Sequence, residues 1–428
     1  MTLTGNFFSS IKGSKGPAAH SSAFLLIFFV YALVCLLGAL PYYFSGCIPR
    51  FTDAVFESVS GFTTTGLTVL RDIESALRPL LFWRALTQWL GGLGVLLFIT
   101  VLLPSLGTGG FQIFSAEAPG PGTEKITPRI NRSARSILLV YMGLTAAEAL
   151  LLRCFGMNWF DAVTHAFSTM STGGFRLHND GVAFYRSPSI EWVLAAFMFL
   201  AGFNYVLIWR MFRGNFSEVL RNSEAKVYTT IVVMVSIVIA IVIVPVGNYP
   251  PGGGGRNAFF NTVSILSTTG FSCADTGAWP TLVQGLLFFL MFFGGCSLSA
   301  AGGVKIVRYI ILAKQAGNEM KKIVHPRGVY NIRLDGKSGK KEVVYGVAGF
   351  VFLYFLLLFL CALLLSSAGE DIFSSLKTAL ACLGNIGFLY PLPHFPAYVT
   401  WGLALTMIIG RLELWVVLVF FTRDFWKL

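Results

Sequence analysis

Four short tracts of this chain hold residue types suited to binding a bare cation. They read "FTDAVFESVSGFTTTG" (51–66), "WFDAVTHAFSTMSTGG" (159–174), "GRNAFFNTVSILSTTG" (255–270) and "IFSSLKTALACLGNIG" (372–387), and they align without gaps. Each ends in a glycine followed by Leu67, Phe175, Phe271 or Phe388. The candidate ligand positions are Thr64, Thr65 and Gly66; Thr172, Gly173 and Gly174; Thr268, Thr269 and Gly270; and Asn385, Ile386 and Gly387. Glycine reaches backbone conformations closed to residues with a Cβ, so such loops can turn carbonyls toward a common axis. A ring of carbonyls that replaces a hydration shell is the chemistry of a potassium filter. A single loop of this kind reads as an ordinary turn; four at matched positions do not.

The tracts must be positioned by the apolar segments around them. With 55% hydrophobic and 12% charged residues, the chain is far more apolar than soluble proteins, which average roughly 45–50% apolar and about 25% charged. Crossing the hydrocarbon takes roughly 20 apolar residues as helix, and eight runs qualify: 22–44, 80–103, 137–156, 190–212, 228–247, 280–309, 343–366 and 397–421. Segments 1–20, 103–136, 210–226, 305–342 and 422–428 hold 22 Lys/Arg against 8 Asp/Glu, and the remainder holds 10 against 12. The positive-inside rule places those segments, both termini included, in the cytoplasm, so the net charge of +12 reflects orientation, not nucleic-acid binding. All four tracts then open on the outer side.

The tract-ending glycines lie 108, 96 and 117 residues apart, a fourfold internal repeat. The third position of each tract holds Asp53, Asp161, Asn257 or Ser374, which reads as a column of N-caps opening a short helix. About ten residues of helix span about 15 Å, half the hydrocarbon core, so each helix enters and leaves by one face. Its C-terminal end, with roughly half a negative charge, then points inward and favours a cation. The expected fold is an all-α polytopic membrane protein with four span–pore-helix–span repeats around one pseudo-fourfold ion pore. The expected division is a cytoplasmic N-terminus (1–20), repeat 1 (21–103), a cytoplasmic loop (104–136), repeat 2 (137–212), a loop (213–226), repeat 3 (227–310) with a broken second span, a basic loop (311–342), repeat 4 (343–422) and a cytoplasmic C-terminus (423–428).

The sixth run is interrupted by Gly294, Gly295, Ser297, Ser299, Gly302 and Gly303, residues that weaken a lipid-facing helix and suit one lining a cavity. Arg411 lies within the last span, where a cation costs about 2.5–3.5 kcal/mol and usually faces the interior. Two alternatives stand beside that reading: an ion pair with Glu413, or a side chain reaching the headgroups. Lys305, just after the break, reads equally as an inner-face anchor. The seven cysteines form neither a disulfide framework nor a metal-binding spacing, and most lie in apolar runs. Lys12 and Lys15 before the first run, with "FSGC" at 44–47, imitate a signal peptide, yet the run is longer than the usual h-region of about 7–15 residues.

An intramembrane enzyme is the rival from another class. The chain has no HExxH or GxSxG, and its five histidines are scattered; His165 reads as packed or hydrogen-bonded, not catalytic. A secondary transporter built from inverted repeats is a nearer rival, but here all four repeats run in one direction.

Several tracts are similar to those of one family: "GGLGVLLFITVLLPSLGTGGFQIFSAEAPGP" (91–121), "KITPRI" (125–130), "HAFSTMSTGGF" (165–175), "STTGFS" (267–272), "GGCSLSAAGGVKIVR" (294–308), "LGNIGF" (383–388) and "IGRLELWVVLVFF" (409–421). The chain resembles the Trk/Ktr/HKT superfamily of potassium transport subunits, most closely the TrkH branch. The resemblance implies potassium uptake across a bacterial inner membrane, with one filter glycine per repeat at Gly66, Gly174, Gly270 and Gly387. Glycine at all four implies preference for potassium over sodium. It further implies that the Gly294–Gly303 break is a gate under the filter, with Arg411 facing the ion path. No cofactor is implied; potassium is the substrate. The implied partners are a second copy of the chain and a ring of cytoplasmic nucleotide-binding subunits. Whether transport is channel-like or coupled to protons or sodium stays open. TrkH proteins usually carry an extra pair of spans before the first repeat, and only about 20 residues precede the first run here, as in shorter Ktr-type subunits.

Overall fold

The computed structural model describes residues 17–102, 127–246, 252–328, 330–335, 337–338, 341–387, 392–423 and 426. Most of the 104–136 connection, Lys12, Lys15 and Phe388 lie outside them. The chain is almost entirely helical. Repeat 1 comprises α1 (Pro17–Phe44), the short α2 (Phe51–Phe62) and α3 (Arg78–Leu97), which widens into a π turn at Phe98–Leu102. Repeat 2 follows with α4 (Thr127–Cys154), the short α5 (Trp159–Met170), α6 (Pro188–Ala201) and α7 (Tyr205–Phe212). After a connecting α8 (Phe216–Arg221), repeat 3 has α9 (Ser223–Val246), the short α10 (Gly253–Leu266), α11 (Thr281–Leu290) and, beyond a break, α12 (Ile306–Val324). Repeat 4 has α13 (Lys341–Ser366), the short α14 (Ile372–Gly384), α15 (Ala397–Arg411) and α16 (Leu414–Leu418). A hairpin of two-residue strands, β1 (Arg333–Leu334) and β2 (Lys337–Ser338), precedes α13.

Among the described residues, five helices are long and apolar enough to cross a membrane, and two bent pairs raise the number to seven. The bends, 107° between α6 and α7 and 116° between α15 and α16, were not legible in the apolar runs that contain them. The first falls at Gly202–Asn204, where Asn204 Oδ1 accepts from the N–H groups of Val206 and Leu207 and so starts a new helix. The second falls at Leu412–Glu413, with Glu413 in the left-handed region (φ 65°).

The lipid-facing surface is the apolar face of the outer helices. Phe29, Leu33 and Leu37 on α1, Ile237, Ile241 and Val244 on α9, and Phe352, Leu356, Phe359 and Leu363 on α13 are exposed at helical spacing. The four short helices lie inside; α10, for example, is buried from Asn257 to Leu266 apart from Phe259. Each packs against the first span of its own repeat. The second span of one repeat also packs on the short helix of the next: α3 on α5, α6 on α10, and α15 back onto α2. The rings of Phe288 on α11 and Phe373 on α14 meet at 5.1 Å, which closes the circle.

The expected N-cap column does not hold. Asp53 and Asp161 lie in the first turn of their helices, Ser374 is the third residue of α14 and Asn257 the fifth of α10. The side chains that cap are Asn158, which accepts from Asp161 N at 2.8 Å, and Asp371, which accepts from Phe373 N at 3.0 Å and Ser374 N at 3.4 Å. Arg50 and Gly252 precede the other two helices with no side-chain cap. Each helix takes one more turn than the cap reading allowed, and Asp53 and Asp161 sit where a carboxylate favours the N-terminal dipole.

Candidate functional site

The four short helices end in loops of one backbone design. Thr64, Thr172, Thr268 and Asn385 all take the left-handed region, with φ of 52°, 56°, 62° and 52°. The next N–H groups fold back on the helix end: Thr65 N and Gly66 N to Ser60 O, Gly173 N and Gly174 N to Ser168 O, Thr269 N and Gly270 N to Ser264 O, and Ile386 N to Ala381 O. Gly66, Gly174 and Gly270 then have φ of 78°, 72° and 83°. Gly387 does not take that region, so the fourth loop needs its glycine for room alone.

The loops meet in cyclic order. A Cβ on Gly66 would lie 2.0 Å from Gly173 O, one on Gly174 1.9 Å from Thr269 O, one on Gly270 1.6 Å from Gly387 O, and one on Gly387 2.9 Å from Thr65 O. Every glycine therefore abuts a carbonyl of the next repeat, and the fourth returns to the first. The twelve candidate ligand residues of the sequence thus come together as one closed ring; Phe388, which follows Gly387, lies outside the described residues. Gly173 departs from threonine for a visible reason: Gln88 fills that space, its Cδ 2.3 Å from a Cβ built there, and donates to Gly173 O at 2.7 Å.

Behind the ring lies a buried ion pair that the sequence reading missed. Arg84 Nε on α3 meets Glu57 Oε1 on α2 at 2.8 Å, both side chains essentially inaccessible. Glu57 also accepts from Thr68 Oγ1 at 2.9 Å and Val69 N at 3.0 Å, just after the first loop. Arg84 donates to Arg176 O at 3.1 Å, just after the second, and lies 4.0 Å over the Phe175 ring. Two neighbouring loops are thereby tied to one pair. A Glu in a short helix and an Arg in a span were the available signals, since intramembrane charges are functional candidates by default. At the matched position in repeat 2, His165 is packed in edge contact with Tyr185 and Phe271. In repeat 3, Asn261 accepts from Ser272 Oγ at 3.4 Å.

The break after α11 lies directly against the loops. Phe293 and Val304 pair side by side, with Gly294 N on Val304 O at 2.8 Å, so 295–303 forms a closed excursion. Thr172 Oγ1 donates to Ala300 O at 3.0 Å, Thr268 Oγ1 accepts from Gly302 N at 2.8 Å, and a Cβ on Gly302 would lie 2.5 Å from Gly384 O. Cys296 N donates to Gly202 O at 2.8 Å and Leu298 O accepts from Tyr205 N at 3.2 Å, which joins the excursion to the bend between α6 and α7. Ser299 Oγ donates to Cys296 O at 2.5 Å.

Arg411, 3% exposed, donates to Ala300 O at 2.8 Å. It is hydrogen-bonded neither to Glu413 nor at a headgroup position; Glu413 instead accepts from Arg308 Nη2 at 2.8 Å. Lys305, 3% exposed, is likewise no surface anchor, since its Nζ donates to Ala301 O. Asn179 Nδ2 donates to Asp72 at 2.9 Å, linking the connections after the first two loops and holding that exposed carboxyl below its usual range.

The chain as a whole is similar to known proteins. The TrkH family model, described as cation transport protein, matches residues 9–427. The chain is 35% identical over 426 residues to the Trk system potassium uptake protein TrkH of Salmonella typhimurium, covering 97% of this chain and 88% of that one. It is 36% identical over 414 residues to TrkH of Halomonas elongata, covering 94% and 86%. Among solved structures it matches the crystal structure of the potassium transporter TrkH from Vibrio parahaemolyticus with a TM-score of 0.85 and 32% identity, over 95% of this chain and 86% of that one. An integral membrane protein with a transporter's fold, and not an enzyme, the chain belongs to the TrkH family of cation transport proteins.

Proposed function

We propose that this chain takes up potassium across the bacterial inner membrane through the ring of loops at 64–66, 172–174, 268–270 and 385–387. The observation that carries the reading is the closed cyclic contact of the four glycines with the carbonyls of the next repeat. Four inward helix ends add negative potential there. The names of relatives at about 35% identity support potassium as the ion. The excursion between Gly294 and Gly303, bonded to two loops and to Arg411, acts in this reading as the barrier beneath the filter.

The division into four repeats with boundaries at 103, 212, 310 and 422, both termini in the cytoplasm, follows from the charge asymmetry of the connections. The basic 305–342 connection holds ten Lys/Arg and three acids; apart from the buried Lys305 and Arg308, its eight remaining Lys/Arg offer a docking face for a cytoplasmic nucleotide-binding ring, which two copies of this chain would match. The test is potassium and sodium flux into liposomes holding the purified protein, with and without an imposed proton gradient. Potassium entry above sodium that persists without the gradient supports the channel-like reading. Entry that requires the gradient assigns the protein to coupled transport, and equal entry of both ions removes the filter assignment.

A further inference from the structure

Glu224 is the second residue of α9 and 7% exposed, a carboxylate at the end of a span with no basic residue of its own helix turned into the same bonds. Its Oε1 accepts from Ser297 N at 2.7 Å and Ser297 Oγ at 3.0 Å, and from Val307 N at 3.3 Å. Ser297 lies within the excursion beneath the loops and Val307 just after it, in the first turn of α12. One oxygen thus ties the excursion to the limb that follows it. Three hydrogen bonds converge on this one oxygen, and burial keeps water from competing for them.

The start of α9 is itself held from the hairpin. Asp335 Oδ1 accepts from Ser223 N at 2.8 Å and Ser223 Oγ at 2.6 Å, and its Oδ2 accepts from Asn222 Nδ2 at 3.2 Å. Asp335, at the turn after β1, therefore caps the helix whose next residue is Glu224. Lys314 Nζ on α12 donates to Arg333 O at 2.6 Å, so the hairpin also touches the far limb of the break.

We propose that Glu224 is the positioning residue that fixes the excursion 295–303 beneath the loops, and that Asp335 couples its place to the hairpin of the basic connection. The proposal rests on the reading of that excursion as a barrier. A partner that draws the hairpin away from α9 removes the cap on Ser223, shifts the turn carrying Glu224 and frees Ser297. Coupling across the inner half of the protein then needs only one carboxylate on each side of one peptide group.

The experiment uses Cys296, which is buried and adjacent to Ser297. Full-length protein in liposomes is treated with a water-soluble maleimide, labelling at Cys296 is read by mass spectrometry, and rubidium flux is measured on the same samples. Glu224→Leu removes all three bonds and should raise labelling about tenfold or more, the population change expected when a buried donor is left unsatisfied. Glu224→Gln keeps an acceptor oxygen and should label within about twofold of wild type, since its amide oxygen retains the bonds. Asp335→Ala, on the exposed hairpin, tests the coupling without touching the interior and should also raise labelling. Unchanged labelling in Glu224→Leu, or equal labelling in the Leu and Gln variants, overturns the latch; if Glu224→Leu does not fold, unchanged labelling in Asp335→Ala overturns it. Deleting Ser297–Ala301 separates the two readings. If the deletion raises flux while Cys296 stays protected in Glu224→Leu, the barrier stands and the latch falls. If Cys296 opens in Glu224→Leu while neither that variant nor the deletion raises flux, the latch stands and the barrier reading fails.

Discussion

Replacing Arg84 by Met tests whether the pair behind the ring organises two loops at once. In the protein the guanidinium sits 2.8 Å from Glu57 with both side chains at 1% exposure or less, so neither charge has water to fall back on. Arg84→Met leaves the Glu57 carboxylate with only Thr68 Oγ1 and Val69 N as partners, and removing one member of a buried pair costs about 3–5 kcal/mol. Glu57→Gln leaves the guanidinium with Arg176 O, Thr68 Oγ1 and the Phe175 face, a partial shelter, so its cost should be smaller. The double variant buries no charge, and well-packed neutral replacements of such pairs are often near neutral. The expected order of thermal midpoints in nanodiscs is therefore wild type and double variant above Glu57→Gln, with Arg84→Met lowest, and a coupling of at least about 2 kcal/mol. Rubidium-over-sodium uptake should follow the same order, because the bonds lost lie just after the first and second loops. If the single changes add in the double variant to within about 0.5 kcal/mol, the pair is not acting as a unit and the reasoning fails.

Gly66→Ser should lower potassium-over-sodium preference, because its Cβ would meet Gly173 O at 2.0 Å and its φ of 78° costs a side chain about 1–2 kcal/mol; relative uptake of the two ions in a transport-deficient strain checks this. Gly173→Ala should be poorly tolerated alone and recover when combined with Gln88→Ala, since the atoms in its way belong to a side chain; thermal midpoints of the single and double variants decide it. Arg411→Ala should raise rubidium flux per folded protein and leave ion preference nearly unchanged, because a charge about 8 Å from an ion at an effective dielectric of about 20 repels it by roughly 2 kcal/mol. Copurification from the native host in mild detergent should bring down a nucleotide-binding ring protein, and its absence from the purified material removes the support for that partner.

What was legible in the sequence was whatever repeats. The tract ending in Gly66 recurs at a matched position three more times, and a fourfold pattern of that kind survives ignorance of every single contact. The N-cap column failed because a polar residue three places into a helix looks the same in sequence as one that caps it; only the backbone of Asn158 and Asp371 distinguishes them. The bends at Gly202–Asn204 and Leu412–Glu413 were hidden because apolar runs carry no direction, and a run long enough to cross remains so when folded at its middle. Glu57, Arg84, Gln88 and Glu224 went unnoticed because each is a lone polar residue whose partner is distant in sequence: Arg84 is 27 residues from Glu57, and Glu224 is 73 from Ser297. Arg411 was found because a charge within an apolar run is conspicuous and because the resemblance places an arginine beside the ion path there.

The ring is fourfold in its backbone and not in its supports, and that difference follows from what each part must do. Ser60 O, Ser168 O, Ser264 O and Ala381 O accept the same returning N–H groups whatever side chain they carry, so the loops keep one shape. At the matched position behind them, the first repeat uses the Glu57–Arg84 pair, the second a packed His165 and the third Asn261. The support differs from repeat to repeat because each meets a different neighbour: the Glu57–Arg84 pair reaches Arg176 O of the second repeat, and His165 packs on Phe271 of the third. On one side of the ring the symmetry is lost: among the described residues the second spans of repeats 2 and 4 bend by 107° and 116°, and that of repeat 3 is interrupted by the excursion 295–303. That excursion reaches the second loop through Thr172, the third through Thr268 and the fourth through the close approach of Gly302 to Gly384, while Arg411 of the fourth repeat holds its tip at Ala300. A copy of the same excursion in each repeat would compete for one volume. The loss of symmetry there is the geometric condition for a single element to touch three of the four loops at once.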